Sequence, residues 1–399
     1  MQRVLKMKDV FLRYKNTILI LLIGASIFSI NLPIAFGSIF LSLFLAIWVC
    51  SGGYKYKINS IKKNPGAMVS LLLLLCYALG IIYTTAPFNE GVHYFIKYLK
   101  LLLIPMIISI SIPDKYKDYL INAFLGSLII YLCISYINWL GFLSLGIMKH
   151  GTYMAIGAYL MFRNTVNNSG KWRYIWMLLS GLTVFNILFI CDVRTGVITL
   201  VCLSLLFIWE TWGTKILTIG ILISVLAALC IYFIPSVKQL NPRFANIIQE
   251  VTSHQPKNHP TSSGTRIEMY ENTIQLIKKH PIIGGGTGSL KNEYYTLIKD
   301  SDTVLTRVTN PHNQYLSTTQ DLGLVGLIVL MLFWGTHWRL SYSLSNSEYG
   351  HSLRALILAT MVGSLFNSLL LDSGDGRMYC LLAGVFLSSY ISKDNKIPY

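Results

Sequence analysis

One long hydrophilic stretch, 236–313, interrupts a chain otherwise written in apolar runs about twenty residues long, and this alternation limits what the chain can fold into. A run of that length crosses a bilayer as a helix, because hydrocarbon offers no partner to an unpaired backbone amide. Only 13% of the 399 residues are charged and 53% are apolar, against about 25% charged in soluble domains. The expected fold class is an all-α polytopic membrane protein, with 1–399 forming a single transmembrane domain.

Counting the apolar runs predicts about twelve spans, near 17–31, 33–50, 67–83, 92–112, 119–141, 151–162, 174–191, 197–209, 216–235, 315–338, 352–371 and 378–392. Arg3, Lys6, Lys8, Arg13 and Lys15 precede the first, and Lys55, Lys57, Lys62 and Lys63 follow the second. By the positive-inside rule these segments are cytoplasmic. Both termini then lie inside, and Lys393 and Lys396 end the chain there. The short outer loops carry only Lys149, Arg194 and Arg377. The loop 236–314, inserted between spans nine and ten, faces outward and is expected to contain short helices.

The net charge of +16 therefore follows membrane topology. No contiguous basic face with interleaved aromatics marks a nucleic-acid partner. All seven cysteines, Cys50, Cys76, Cys133, Cys191, Cys202, Cys230 and Cys380, sit in or beside apolar runs with no CxxC pair, which reads as packing and not as a disulfide frame or metal site. No removable signal peptide is expected, since the first span itself directs insertion.

Within the loop, Ile267, Tyr270, Ile274 and Ile277 recur at three-to-four spacing, predicting an amphipathic helix from Gly264 to Lys279. Ser262 or Ser263 would cap it, and His280–Pro281 would end it. The run Gly284–Gly288, GGGTG, lacks the Lys-Ser/Thr ending of a nucleotide loop. It is expected to be a flexible turn that lets the following helix pack near a substrate.

Several side chains could carry chemistry. Arg194, in CDVRTG at the outer rim, breaks the charge trend. It either snorkels to lipid phosphate or uses its planar fork to bind a substrate phosphate. Arg266 falls in the first turn of the predicted loop helix, where backbone N–H groups also favour an anion; a solvated surface arginine is the alternative. His312 sits where the loop meets span ten, and an imidazole can exchange a proton near neutral pH. Asn313 could orient it or cap the span.

Lys97 and Lys100 lie inside span four, where they either snorkel or line a polar cavity facing an anionic lipid head. Asp372, Asp375 and Arg377 form an outer turn that topology places near the other candidates. His254 and His259 have poor spacing for zinc, and no metal site is expected. No Ser-His-Asp order, HExxH or paired-carboxylate spacing points to a hydrolase.

The stretch HNQYLSTTQDLG at 312–323 resembles the O-antigen ligase family of Gram-negative bacteria. So do SGTR at the loop helix, RTG after span seven and the turn PIIGGGTGSL. The resemblance implies a glycosyltransferase of the bacterial inner membrane with its site on the periplasmic face. Its donor would be an O-antigen linked to undecaprenyl diphosphate, its acceptor a sugar hydroxyl of lipid A-core, and it would need no cofactor. It further implies that Arg194 and Arg266 bind the diphosphate and that His312 activates or positions the acceptor for inverting, in-line displacement. Asn313, Lys97 and Asp372 would support them. Polymerases of O-antigen or exopolysaccharide and protein O-oligosaccharyltransferases share the loop motif. Polymerases often carry a second sizeable periplasmic loop, and this chain shows one. A transporter of lipid-linked sugar, with the arginines lining a pathway, is the reading from another class.

Overall fold

A computed structural model describes residues 2–110, 112–142, 151–191, 193–233, 247–256, 260–301, 303, 305 and 308–390. Lys149, His259, Lys393 and Lys396 lie outside the described residues, as do the side chains of Arg3, Lys6, Lys8, Arg13 and Cys230. Among the described residues the chain is helical, with a lone antiparallel bridge joining Leu344 to Tyr390. The helices used below are α1 (Gln2–Phe28), α2 (Ile34–Cys50), α3 (Tyr54–Lys63), α4 (Pro65–Gly80), α5 (Phe88–Ile96), α6 (Leu103–Ile108), α7 (Asp114–Trp139), α8 (Gly151–Asn167), α9 (Gly170–Phe185) and α10 (Arg194–Phe233). They continue as α11 (Ile247–Thr252), α12 (Ser262–Lys279), α13 (Leu290–Ile298), α14 (Gln314–Ser341), α15 (Ser347–Gly363) and α16 (Ser373–Leu387).

Multiple apolar helices mark a multi-pass membrane protein. Six described stretches are long and apolar enough to cross a bilayer, or seven if α2 and α3, bent by 112°, count as one span. The expected twelve are therefore met only in part. The region expected to hold spans eight and nine forms the single stretch α10, broken at Gly213 (φ 77°). Span four is α5 and α6 joined through a 3-10 turn at Leu99–Leu102. The run expected to be span eleven stops being helical at Gly363, and 364–372 folds back as turns. Polar anchors explain that stop: Gln314 accepts from Leu370 N and Leu371 N through Oε1, at 2.9 and 3.2 Å.

A continuous apolar core joins α1, α4, α6, α7, α8, α14, α15 and α16, with Tyr77, Tyr98, Phe333, Trp334, Tyr379 and Phe386 fully buried in it. The hydrophilic segment has a small core of its own, made by Met269, Leu276, Leu290, Tyr294, Ile298 and Val308. That cluster corrects the expected face of α12. Met269, Thr273 and Leu276 are its buried residues, whereas Ile267 and Ile274 are exposed. The cap also differs. Thr261 Oγ1 accepts from Gly264 N at 3.2 Å, because Ser263 turns its hydroxyl to charged partners described below.

The glycine run is a built junction and not a loose turn. At Gly323 (φ 64°) α14 leaves helical geometry, which frees the backbone groups on either side. The segment Pro281–Gly286 takes them up: Gly285 N and Gly286 N donate to the carbonyls of Gln320 and Asp321 at 2.9 Å each, and Leu324 N and Val325 N donate to Pro281 O and Ile282 O at 2.9 and 3.2 Å. A Cβ on Gly286 would lie 2.2 Å from Thr84 Cα, and one on Gly323 2.2 Å from the Ile282 carbonyl carbon. Only glycine permits this approach at positive φ. Thr287 N and Thr85 N complete the knot by donating to Gly80 O and Gly285 O.

Candidate active site

Arg194 opens α10, and its placement depends on the residue two further on. Gly196 meets Gly151 at the start of α8 so closely that a Cβ on Gly196 would sit 2.8 Å from Gly151 Cα. The RTG sequence thus seats the first turn of α10 against α8 and lifts Arg194 toward the loop. There its guanidinium grips Glu250 with both ends, Nη2 to Oε1 at 2.6 Å and Nη1 to Oε2 at 3.1 Å. Nη1 also donates to Ser263 Oγ at 3.0 Å, and Ser263 in turn donates to Glu250 Oε2 at 2.5 Å. The Arg194 hydrogen bonds hold the Glu250 carboxyl well down, at about 2. Thus the fork proposed for a phosphate is closed on a carboxylate.

Arg266 lies one turn beyond Ser263 on α12 and is half-buried, with no ion pair among the described residues. Four residues on, and so on the same helical face, Tyr270 donates its hydroxyl to His312 O at 3.1 Å and to Leu365 O at 3.0 Å. Burial raises the Tyr270 phenol above its ordinary value, opposed by the nearby Arg266 charge. Helix α12 therefore links the Arg194 contact, through Ser263 and Tyr270, to the backbone of His312.

His312 has φ 53° and is the one non-glycine residue with positive φ among those described. Such a backbone costs about 1–3 kcal/mol and persists only when its surroundings impose it. Here Asn310 Oδ1 accepts from His312 N at 2.8 Å and from Ser368 Oγ at 2.7 Å, while Tyr270 takes the carbonyl. The ring is fixed as firmly. Asn367 Nδ2 donates to Asp372 Oδ2 at 2.8 Å, which turns Asn367 Oδ1 toward His312 Nδ1 at 3.1 Å. A carboxylate can only accept, so the amide orientation follows from the network. Nδ1 then carries the proton, and Nε2 is left as the acceptor. Asp372 is held from the other side by Lys100, which donates to its carbonyl and to Leu371 O.

Of the remaining sequence candidates, Asn313 is the cap of α14: its Oδ1 accepts from Tyr315 N and Leu316 N at 3.0 and 3.1 Å. Asn367, and not Asn313, orients the histidine. Asp375 and Arg377 line a cavity of about 430 Å³ together with Asn367 and Asp372. Lys97 lines a different cavity. His254 is structural, its Nδ1 accepting from Thr261 N at 3.1 Å and its Nε2 lying 3.5 Å from Glu268.

Sequence reasoning missed Glu250, Asn367 and Asn310 as site residues and treated Tyr270 only as part of an apolar face. The four-residue step from Arg266 was the available signal for Tyr270. For Asn367, 55 residues from His312, none existed in one sequence.

Residues 177–331 match the O-antigen ligase family. That segment includes Arg194, Arg266, His312 and Asn313, and excludes Lys97 and Asp372. The chain is also 28% identical over 131 residues to an uncharacterized protein of Haemophilus influenzae, covering 32% of this chain and 33% of that one. The match therefore spans about a third of the relative's length.

Proposed function

We propose that the protein is an O-antigen ligase, transferring polysaccharide from undecaprenyl diphosphate to a sugar hydroxyl of lipid A-core at the periplasmic face of the inner membrane, with both termini cytoplasmic. The observation that carries the catalytic part is the imposed backbone and fixed tautomer of His312, which present Nε2 as a ready proton acceptor. In this reading Nε2 takes the proton of the acceptor hydroxyl as its oxygen attacks the anomeric carbon. The bond from that carbon to the diphosphate oxygen breaks in line, with inversion. The departing diphosphate keeps its negative charge and is stabilised by hydrogen bonds from Arg266 and from Arg194, whose fork exchanges the Glu250 carboxylate for the phosphate. Since the donor is already activated, the protein mainly orients the reactants and neutralises charge.

The test uses purified protein in lipid nanodiscs with lipid-linked O-antigen and lipid A-core. The expected product is glycosylated lipid A-core, formed without nucleotide. Arg266→Ala and His312→Ala each lower its rate by about 100-fold or more while inserting normally. Longer lipid-linked chains in place of that product identify a polymerase, and donor movement without a new bond identifies a transporter. Full activity in His312→Ala removes the base assignment.

A further inference from the structure

A second cavity, of about 510 Å³, opens between α5 and α13. Its lining includes His93, Lys97 and Lys291 against a single carboxylate, Glu90, together with Thr309 and the backbone at Gly288. His93 on α5 and Lys97, which caps its C-terminus in helical geometry, are four residues apart and share one face, and both are exposed. Lys97 makes no ion pair among the described residues; its ammonium stands 5.6 Å from the Tyr94 ring centre. Glu90 is already engaged, since Lys291 Nζ lies 2.9 Å from its Oε1. Thus the one negative charge is neutralised by one of the cations, and the remaining lysine and imidazole face the space unopposed.

This position is not an accident of surface lysines spread over a helix. Lys97 belongs to a stretch long and apolar enough to cross a bilayer, Phe88–Ile108, where a cation is costly without a partner. The opposite wall comes from the hydrophilic segment: Lys291 stands in the first turn of α13, and the positive-φ turn at Gly288 is anchored by its N–H to Asp321 Oδ1 at 3.2 Å. Thr309, on the cavity edge, precedes by three residues the turn that holds His312. A hydrogen-bonded turn at Gly288, a cationic wall and the segment leading to His312 thus border one space.

We propose that this cavity binds an anionic group, a phosphate or carboxylate, borne either by a sugar of the acceptor or by a lipid headgroup, and that it docks the ligand beside the His312 turn. It is separate from the two arginines assigned to the diphosphate. The inference rests on the glycosyl-transfer reading only for the acceptor source, and binding can be measured without turnover.

The test measures equilibrium binding of a phosphorylated core oligosaccharide, and of the same oligosaccharide after phosphatase treatment, to the full chain in neutral-lipid nanodiscs. The wild type is expected to bind the phosphorylated form at least tenfold more tightly, with affinity falling as salt rises. The double variant His93→Gln, Lys97→Gln loses that preference while retaining undecaprenyl diphosphate binding, which also reports a folded protein. If the oligosaccharide shows no preference, the same variant is tested for retention of phosphatidylglycerol against phosphatidylcholine; loss there assigns the site to a headgroup. Equal behaviour of wild type and variant with both probes overturns the proposal. Binding intact in a wild type that transfers no sugar would leave this site standing and remove the enzymatic reading.

Discussion

Two of the places where the hydrophilic segment meets the long apolar helices are fastened by different kinds of bond. At the glycine run, main chain meets main chain: Pro281–Gly286 replaces helical hydrogen bonds that α14 gives up at Gly323. At the start of α12, one arginine, one glutamate and one serine hold the contact through side chains alone. The first junction has no alternative partner for its groups, because burying an unmade backbone hydrogen bond is costly. The second can exchange an acidic partner for another anion of similar geometry. The comparison separates a fixed frame, which sets the height of His312, from a contact able to open.

Breaking the frame gives the largest effect. Gly286→Ala places a methyl 2.2 Å from Thr84 Cα at φ 91°, so the protein is expected to lose about 2 kcal/mol or more of stability. Thermal unfolding in detergent, followed by gel filtration, checks it; an unchanged midpoint would show that the junction yields freely.

The charged contact sharpens the comparison through pH. Glu250 is held at about 2 against an ordinary 4.5, so its pairing stabilises the fold fully above about pH 4.5. That stabilisation is lost as pH falls from there toward about 2. Glu250→Gln should remove this dependence, with a modest loss of stability at neutral pH. Hydrogen exchange at the first turn of α12, measured at pH 6 and pH 3.5, reports it: protection should fall in part at the lower pH in the wild type and change little between the two pH values in the variant.

The smallest effect is expected at the helix cap, which belongs to neither junction. Asn313→Ala removes the acceptor for Tyr315 N and Leu316 N, at a cost of about 1 kcal/mol. Denaturant unfolding should detect that loss. Transfer by the variant should persist, because its imidazole is still oriented by Asn367.

What the sequence revealed about the site followed from local rules. An arginine at the membrane rim, another in a helix's first turn and a histidine at a loop-to-span boundary are each visible from charge and hydropathy. The cap role of Asn313 could be seen as an option for the same reason. The helix in the loop was legible to within two residues, yet its buried side was not, because Met269, Thr273 and Leu276 compete with an equally periodic isoleucine set. Hydropathy counting gave twelve runs where six or seven long apolar helices are described, because it does not register turns imposed by distant partners. Gln314, holding Leu370 and Leu371, is such a case. Asn367, the partner of His312, lies in a stretch that reads as ordinary span, and Glu250 as an ordinary loop carboxylate.

Tyr270 gives this arrangement a mechanical side. Its single hydroxyl touches the carbonyls of His312 and Leu365 together, so any ligand that tilts α12 pulls at once on the residue before Asn313 and on the segment carrying Asn367. A tilt of α12 would therefore reach the angle of the imidazole through these hydrogen bonds alone, without a separate moving lid.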